Sequence, residues 1–260
     1  MSVHSYINHR IPSQLAIHHV AVLRPFKWLI QAWADINNHL MASLAHGLAV
    51  SFLILATLLL TSNNIYVAAV LISGFMLIGP IMAAGLCELS RRNESGESIS
   101  FDDSLTGIRH CQSSLNHFAG ILLGFSVLWF VISGIVFFLA LGNAAPSLEQ
   151  LVWGDFLGIV TPMQSLLYVL VGGLLASIVF VVSVVSVPAI IENDIPAVDA
   201  MAISFKVTIT NLATVLVWAS LIVTLTAIGF ATFLVGMIII YPLLGHATWY
   251  AYRDLVESKT

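Results

Sequence analysis

Charge is what this chain has least of. Only 8% of its 260 residues are Asp, Glu, Lys or Arg, and the formal net charge is −4. Nine basic residues cannot build the electropositive surface that nucleic-acid binding needs, and so few charges do not solubilise a globular domain of this size. Two cysteines exclude a disulfide-stapled scaffold. CxxC, HExxH, GxSxG and the phosphate-binding GxxxxGK[ST] are all missing. No recognised catalytic scheme is therefore expected; the chain reads as a non-enzyme without a cofactor.

Apolar residues fill the space: they make up 59% of the chain, and the mean hydropathy is +0.98. In hydrocarbon every backbone donor and acceptor must be paired within its own segment, and a helix needs about 20 apolar residues to cross. No charge lies between Asp35 and Glu88, enough chain for spans over 43–61 and 65–87, with Thr61, Ser62, Asn63 and Asn64 at the turn. Phe118 to Leu141 gives a third span and Gln164 to Ile190 a fourth. Their link, 143–163, contains Pro146, Glu149, Asp155 and Pro162 but no basic residue. The uncharged run from Val207 to Tyr252 must turn back, and Ile228-Gly229-Phe230 is the expected turn, with spans over 212–228 and 231–251.

Six spans put all nine basic residues (Arg10, Arg24, Lys27, Arg91, Arg92, Arg109, Lys206, Arg253, Lys259) on one side. The positive-inside rule makes that side, with both termini, cytoplasmic. The first 30 residues lack the basic-then-apolar order of a signal peptide. The organisation expected is an N-terminal cytoplasmic segment (1–26), one integral membrane domain (27–256) and a short tail (257–260).

An amphipathic segment precedes each pair of spans. Leu29, Trp33, Ile36 and Leu40 form a stripe in the first, with Lys27, Gln31, Asp35 and Asn38 elsewhere around the helix. Leu105, Ile108 and Leu115 do so in the second, and Val198, Met201, Phe205 and Leu212 in the third. Each reads as a helix in the cytoplasmic interface. Ile99-x-x-x-Asp103-x-Leu105 and Ile195-x-x-x-Asp199-x-Met201 align without a gap, followed by Asn116 and Asn211, with Asn38 placed similarly. Three repeats, 27–88, 101–191 and 197–255, follow from this alignment. Asp103 and Asp199 fall near helix starts, where carboxylates cap. The fold class expected is an all-α polytopic bundle of six spanning and three interfacial helices with a threefold internal repeat.

Three blocks carry a family resemblance. Gly79-Pro80-x-x-Ala83-Ala84-Gly85-Leu86-x-Glu88-Leu89-Ser90-Arg91-Arg92 is the first, and Val184-Val185-Ser186-Val187-Pro188 with its acidic turn and Ala-Met helix the second. The third, YPLLGHATWYAYRDLV from Tyr241, is the most specific. Together they resemble the bacterial integral membrane family termed domain of unknown function 2189, over about Leu29 to Val256. The resemblance implies a multi-pass inner-membrane protein without an established activity. Some members carry a cytochrome c oxidase label, but this chain lacks the set of His residues within spans that would ligate an oxidase's haem and copper.

Candidate sites are few, because no charged residue lies near the middle of any expected span. Breaks at Gly79-Pro80, Gly172-Gly173, Pro188 and Pro242 to Gly245 read as kinks in packed helices. His39 and His46, like His110 and His117, are seven residues apart, about 10.5 Å along a helix, too far to share one ion. A metal or haem site would have to combine His39, His117 and His246 across helices. Against it, imidazoles at headgroup level serve as anchors in one belt with Trp28, Trp33, Trp249 and Tyr250. Glu88, Arg91 and Arg92, and Glu192 with Asp194, form two acidic-basic connections, read as solvated turns with local ion pairs or as a cytoplasmic mouth that meets a partner.

The role expected is that of an accessory or scaffold protein binding membrane lipids and other inner-membrane proteins, with respiratory complexes suggested by the resemblance alone. Transport of a small neutral or amphipathic solute, or haem and copper handling for an oxidase, are the alternatives.

Overall fold

The computed structural model describes residues 15–61, 65–97, 99–141 and 162–258. Ser62, Asn63 and Asn64, the 143–161 part of the long link, residues 1–14 of the N-terminal segment and 259–260 of the tail lie outside the described residues. The elements are β1 (Leu15–Ile17), α1 (Arg24–Asn38), α2 (Leu40–Leu60), α3 (Ile65–Met82), α4 (Ala84–Glu94), α5 (Phe101–His110), α6 (Gln112–Leu141), α7 (Pro162–Ser183), α8 (Ser186–Asn193), α9 (Ala197–Thr210), α10 (Leu212–Ala231), α11 (Met237–Leu255) and β2 (Val256–Ser258). Among the described residues, four stretches are long and apolar enough to cross a membrane: Leu40–Leu60, Gln112–Ile135, Leu166–Asn193 and Leu212–Ala231. The protein is an all-α membrane bundle.

Single residues separate the interfacial helices from the apolar helices that follow: His39 between α1 and α2, Cys111 between α5 and α6, Asn211 between α9 and α10. His39 (φ −131°, ψ 49°) and Asn211 (φ −123°, ψ 39°) have nearly the same non-helical backbone. The expected second and fourth spans are each divided. The second breaks at Ala83, so that Glu88 lies on a helix reaching Glu94. In the fourth, Pro188 has no N–H to give the Val184 carbonyl, and the chain breaks at Val184–Val185.

The expected turn at Ile228–Phe230 is displaced. Helix α10 continues to Ala231, and the chain turns over 232–236 with Phe233 (φ 52°) and Leu234 (φ 68°) in left-handed conformations. Thr232 holds this turn, its hydroxyl bonding the Gly229 carbonyl at 2.9 Å and accepting the Gly236 N–H at 3.0 Å. Gly229 serves close packing instead, since a Cβ there would meet Met237 Sδ at 2.4 Å.

Two compact units divide the chain, one of residues 1–51, 80–118 and 181–260, the other of 52–79 and 119–180. Every Lys and Arg among the described residues belongs to the first unit. In it α4 packs on α5, α8 on α9 and α11 on α1, while α4, α8 and α11 also pack on one another. In the first two of these outer pairs, the helices are consecutive in the chain. In the third they are joined by an antiparallel strand pair, β1 with β2, in the register Leu15↔Ser258, Ala16↔Glu257, Ile17↔Val256.

Aromatic and small residues set the packing of this unit. Trp28 and Trp218 meet edge to face with centroids 5.7 Å apart, a geometry that suits the ring quadrupole. Gly47 lets the Ile238 carbonyl reach α2, for a Cβ at Gly47 would lie 2.0 Å from that oxygen. Pro242, four residues on, has no N–H to donate to the Ile238 carbonyl. Gly245 similarly admits the Leu86 side chain.

In the second unit, Ser126 donates to the Gly74 carbonyl at 3.0 Å, and Gly172 makes room for the Trp129 ring. Trp129 in turn lies 5.0 Å from the Tyr168 ring.

Candidate functional site

Polar side chains are buried at the centre of the first unit, where α1, α2, α4 and α11 contribute one hydrogen-bonded cluster. Asp35 supplies the charge and is 2% exposed. Its Oδ1 accepts from Asn93 Nδ2 at 2.6 Å and from the Tyr250 hydroxyl at 2.8 Å, and its Oδ2 accepts from Ser90 Oγ at 2.6 Å. Ser90 Oγ also lies 2.7 Å from His246 Nδ1, and His246 Nε2 lies 2.9 Å from Ser43 Oγ. His39 closes the outer end, with Nε2 at 3.0 Å from Asn93 Oδ1.

Burial dominates the electrostatics. It raises the Asp35 carboxyl above its ordinary value, against the opposing pull of the hydrogen bonds from Ser90, Tyr250 and Asn93 and the charge of His39. His246 is 1% exposed with no carboxylate within hydrogen-bonding reach, so it is the neutral imidazole. At 3.8 Å from Asp35 Oδ2, its Nδ1 makes no direct hydrogen bond to the acid, and the connection runs through Ser90.

A second constellation surrounds Glu88, itself 1% exposed. Arg91 grips it bidentately at 2.8 and 2.9 Å, and Arg92 Nε adds a third bond at 2.8 Å. Arg92 also reaches Asp103 at 3.3 Å and Glu97 at 3.4 Å. On α11, Arg253 pairs with Glu94 at 3.1 Å and approaches Glu192 at 3.7 Å, while Trp249 Nε1 donates to Glu94 at 3.0 Å. Asp194 ends α8 in a left-handed conformation, which Asp tolerates better than most residues.

The acidic-basic residues Glu88, Arg91 and Arg92 are thus brought together, and Glu192 is near Arg253. Glu88 is not in a solvated turn. It lies on α4 with its carboxylate buried under two guanidinium groups, because the helix continues two turns past the point where the apolar run ends. His39 and His246 belong to one cluster, whereas His117 is exposed on α6. Among the described residues no group of three His, Cys, Asp or Glu side chains is placed to hold a metal ion.

Three readings of α1 and the aromatic belt are corrected. Asp35 is on the buried face with Trp28, Ala32 and Ile36, while Phe26, Ile30 and Trp33 are exposed. Trp28 and Trp249 are fully buried, and their indole N–H groups bond the Asp254 and Glu94 carboxylates. These two are interior residues with polar partners. The capping expectation holds at Asp103, whose carboxylate accepts the Ser100 N–H at 2.8 Å while its own N–H reaches Ser100 Oγ at 3.3 Å.

Ser43, Ser90, Asn93 and Tyr250 were not singled out as a site by their sequence. The available signal was a carboxylate at Asp35 on the same helical face as Trp28 and Ala32, which demands buried donors from another element. No curated protein and no solved structure matches the chain. The model of a family of predicted integral membrane proteins termed domain of unknown function 2189 matches residues 67–192, from α3 nearly to the end of α8.

Proposed function

We propose that this chain is a non-enzymatic accessory or scaffold protein of a bacterial inner membrane, binding membrane lipids and neighbouring membrane proteins, respiratory complexes among them. The observation that carries this reading is the closure of the polar core. Asp35, Ser43, Ser90 and His246 are each at most 2% exposed and bond one another, leaving their hydrogen-bonding capacity turned inward. A solute path would instead present such groups to a wet cavity.

The proposed arrangement has six apolar passes, with both termini cytoplasmic, and a threefold repeat of interfacial helix, apolar hairpin and return helix. The placement of the described basic residues in one unit supports the sidedness. The repeat is supported by the matching breaks at His39, Cys111 and Asn211 and by the cyclic pairing of α4 with α5, α8 with α9, and α11 with α1.

Affinity purification from native membranes in mild detergent tests the role, with mass spectrometry, absorbance and metal analysis of one sample. A stoichiometric membrane-protein partner is the expected result. A solitary protein that moves a solute into liposomes would overturn the reading in favour of transport; bound haem or copper would do so in favour of metal handling.

A further inference from the structure

The buried cluster has a direction set by its hydrogens. Asn93 and Tyr250 fill Asp35 Oδ1, and Ser90 gives its only hydroxyl hydrogen to Oδ2. The 2.7 Å contact from Ser90 Oγ to His246 Nδ1 then needs the hydrogen on Nδ1. In a neutral imidazole this leaves Nε2 as an acceptor, and the Ser43 hydroxyl fills it at 2.9 Å. With Asp35 charged, the donors therefore run in order from Ser43 through His246 and Ser90 to Asp35.

We propose that this chain of four side chains is a proton-binding relay, storing one proton at Asp35 and recording it in the tautomer of His246. Ser43 is buried with the rest of the cluster, so a proton reaches its Oγ when the closed core opens locally, and it displaces that residue's hydrogen onto His246 Nε2. The Nδ1 hydrogen passes to Ser90 Oγ, and the original Ser90 hydrogen passes to Asp35 Oδ2. One proton enters, none leaves, and every group between the ends is restored to neutrality. Asp35 now donates to Ser90, Ser90 to Nδ1, and His246 Nε2–H to Ser43, so the polarity of the whole chain is reversed.

The ends of the relay differ in setting. Ser43 lies in the first turn of α2, an apolar helix long enough to cross a membrane. Asp35 lies beside the half-exposed Tyr250 and, through Asn93, His39. The other ionisable groups acting on the relay are His39 at the α1–α2 junction, His46 on α2 and, through Tyr250, Glu94 on α4. Helix α10, which also packs on α1, carries no ionisable side chain.

Histidine-selective ¹⁵N NMR of the full chain in lipid nanodiscs reads the tautomer, with the signal lost in His246→Gln serving as its assignment. Wild type is expected to show the Nδ1–H form at neutral pH and to convert to Nε2–H on titration from about pH 8 to about pH 4, around the ordinary imidazole and carboxylate range. Asp35→Asn is expected to hold Nε2–H at every pH. Asn93 and Tyr250 require the amide oxygen on their side, which turns the NH₂ toward Ser90.

Ser90→Ala cuts the relay, and His246 should then stop following Asp35. A wild-type tautomer that stays Nδ1–H throughout the titration would overturn the proposal, whether or not Asp35→Asn folds. Retention of Nδ1–H in folded Asp35→Asn would do so as well.

Discussion

Arg24 and Asp254 fasten the first long helix to the end of the last. The guanidinium meets the carboxylate through Nε at 2.5 Å and Nη2 at 2.9 Å, and Trp28 Nε1 adds a bond to the same acid at 2.6 Å. Burial alone would raise the Asp254 carboxyl, but the hydrogen bonds from Arg24 and Trp28 and the charges of Arg24 and Lys27 outweigh it and hold the group below its ordinary value. A carboxyl depressed by folding stabilises the protein above its unfolded pKa, and that contribution is lost as pH falls through the folded pKa.

Asp254→Asn should therefore lower the melting temperature at neutral pH and flatten its decline below about pH 4, the ordinary carboxyl range. The pair is partly exposed, so the loss should be about 1–2 kcal/mol, nearer a charge-assisted hydrogen bond than a buried ion pair. Thermal unfolding in detergent against pH measures both, and an unchanged acid limb would show that Asp254 does not set it.

At Gly47 two helices, α2 and α11, approach through backbone. A methyl group 2.0 Å from the Ile238 carbonyl oxygen cannot be absorbed by a rotamer change, so Gly47→Ala must push α11 from α2, at about 1–3 kcal/mol by the usual cost of overpacking. Gly120→Ala is the matched control, because a Cβ there meets nothing within 4 Å. Melting temperatures of the two variants should separate clearly; equal values would mean that α11 shifts without cost.

Apolar run length was enough to locate most of these helices, since a run without charge leaves a chain in lipid few conformations besides helix. Faces were harder to read. On α1 a sequence pattern groups Trp33 with Ile36, whereas the buried side carries Trp28, Ala32, Asp35 and Ile36. A helix between lipid and protein has two water-free sides, and hydrophobicity does not tell them apart; small or partnered polar residues mark the protein side. The site was illegible for a related reason. Asp35, Ser43, Ser90 and His246 are separated by up to 203 residues along the chain in their direct bonds, and only packing brings them together.

The hairpin of α10 and α11 offers a direct test of the proposed six passes. Ser51, midway along α2, donates to the Leu234 carbonyl at 3.3 Å, so the turn is level with the middle of that helix. With both native cysteines replaced by serine, Phe233→Cys should be labelled by an impermeant maleimide from the face opposite Arg109→Cys; Phe233 is 92% exposed on the protein surface. If labelling of Phe233→Cys appears only after the membrane is dissolved, the turn ends inside the bilayer and the last two helices form a re-entrant hairpin.

Asn211 couples the third helix break to the N-terminal strand. Its Oδ1 accepts the Val20 N–H at 3.1 Å, its Nδ2 donates to the His18 carbonyl at 2.9 Å, and Thr214 reaches the Val20 carbonyl at 3.3 Å. An amide side chain matches a backbone donor and acceptor simultaneously, and an alanine can replace neither. Asn211→Ala leaves two backbone groups of the 18–20 segment without these partners, for a loss of about 1–3 kcal/mol. Because the segment leads directly from β1, hydrogen exchange should quicken in β1 and in its partner β2 while the α4 core stays protected. Asn211→Asp keeps the acceptor and loses the donor, so the Val20 N–H should stay protected while the His18 carbonyl loses its partner; the His18 N–H, held by the Leu255 carbonyl at 3.0 Å, then reports on the strand pair. Uniform loss of protection across α4 and α8 in Asn211→Ala would instead make Asn211 part of the global fold rather than a local latch.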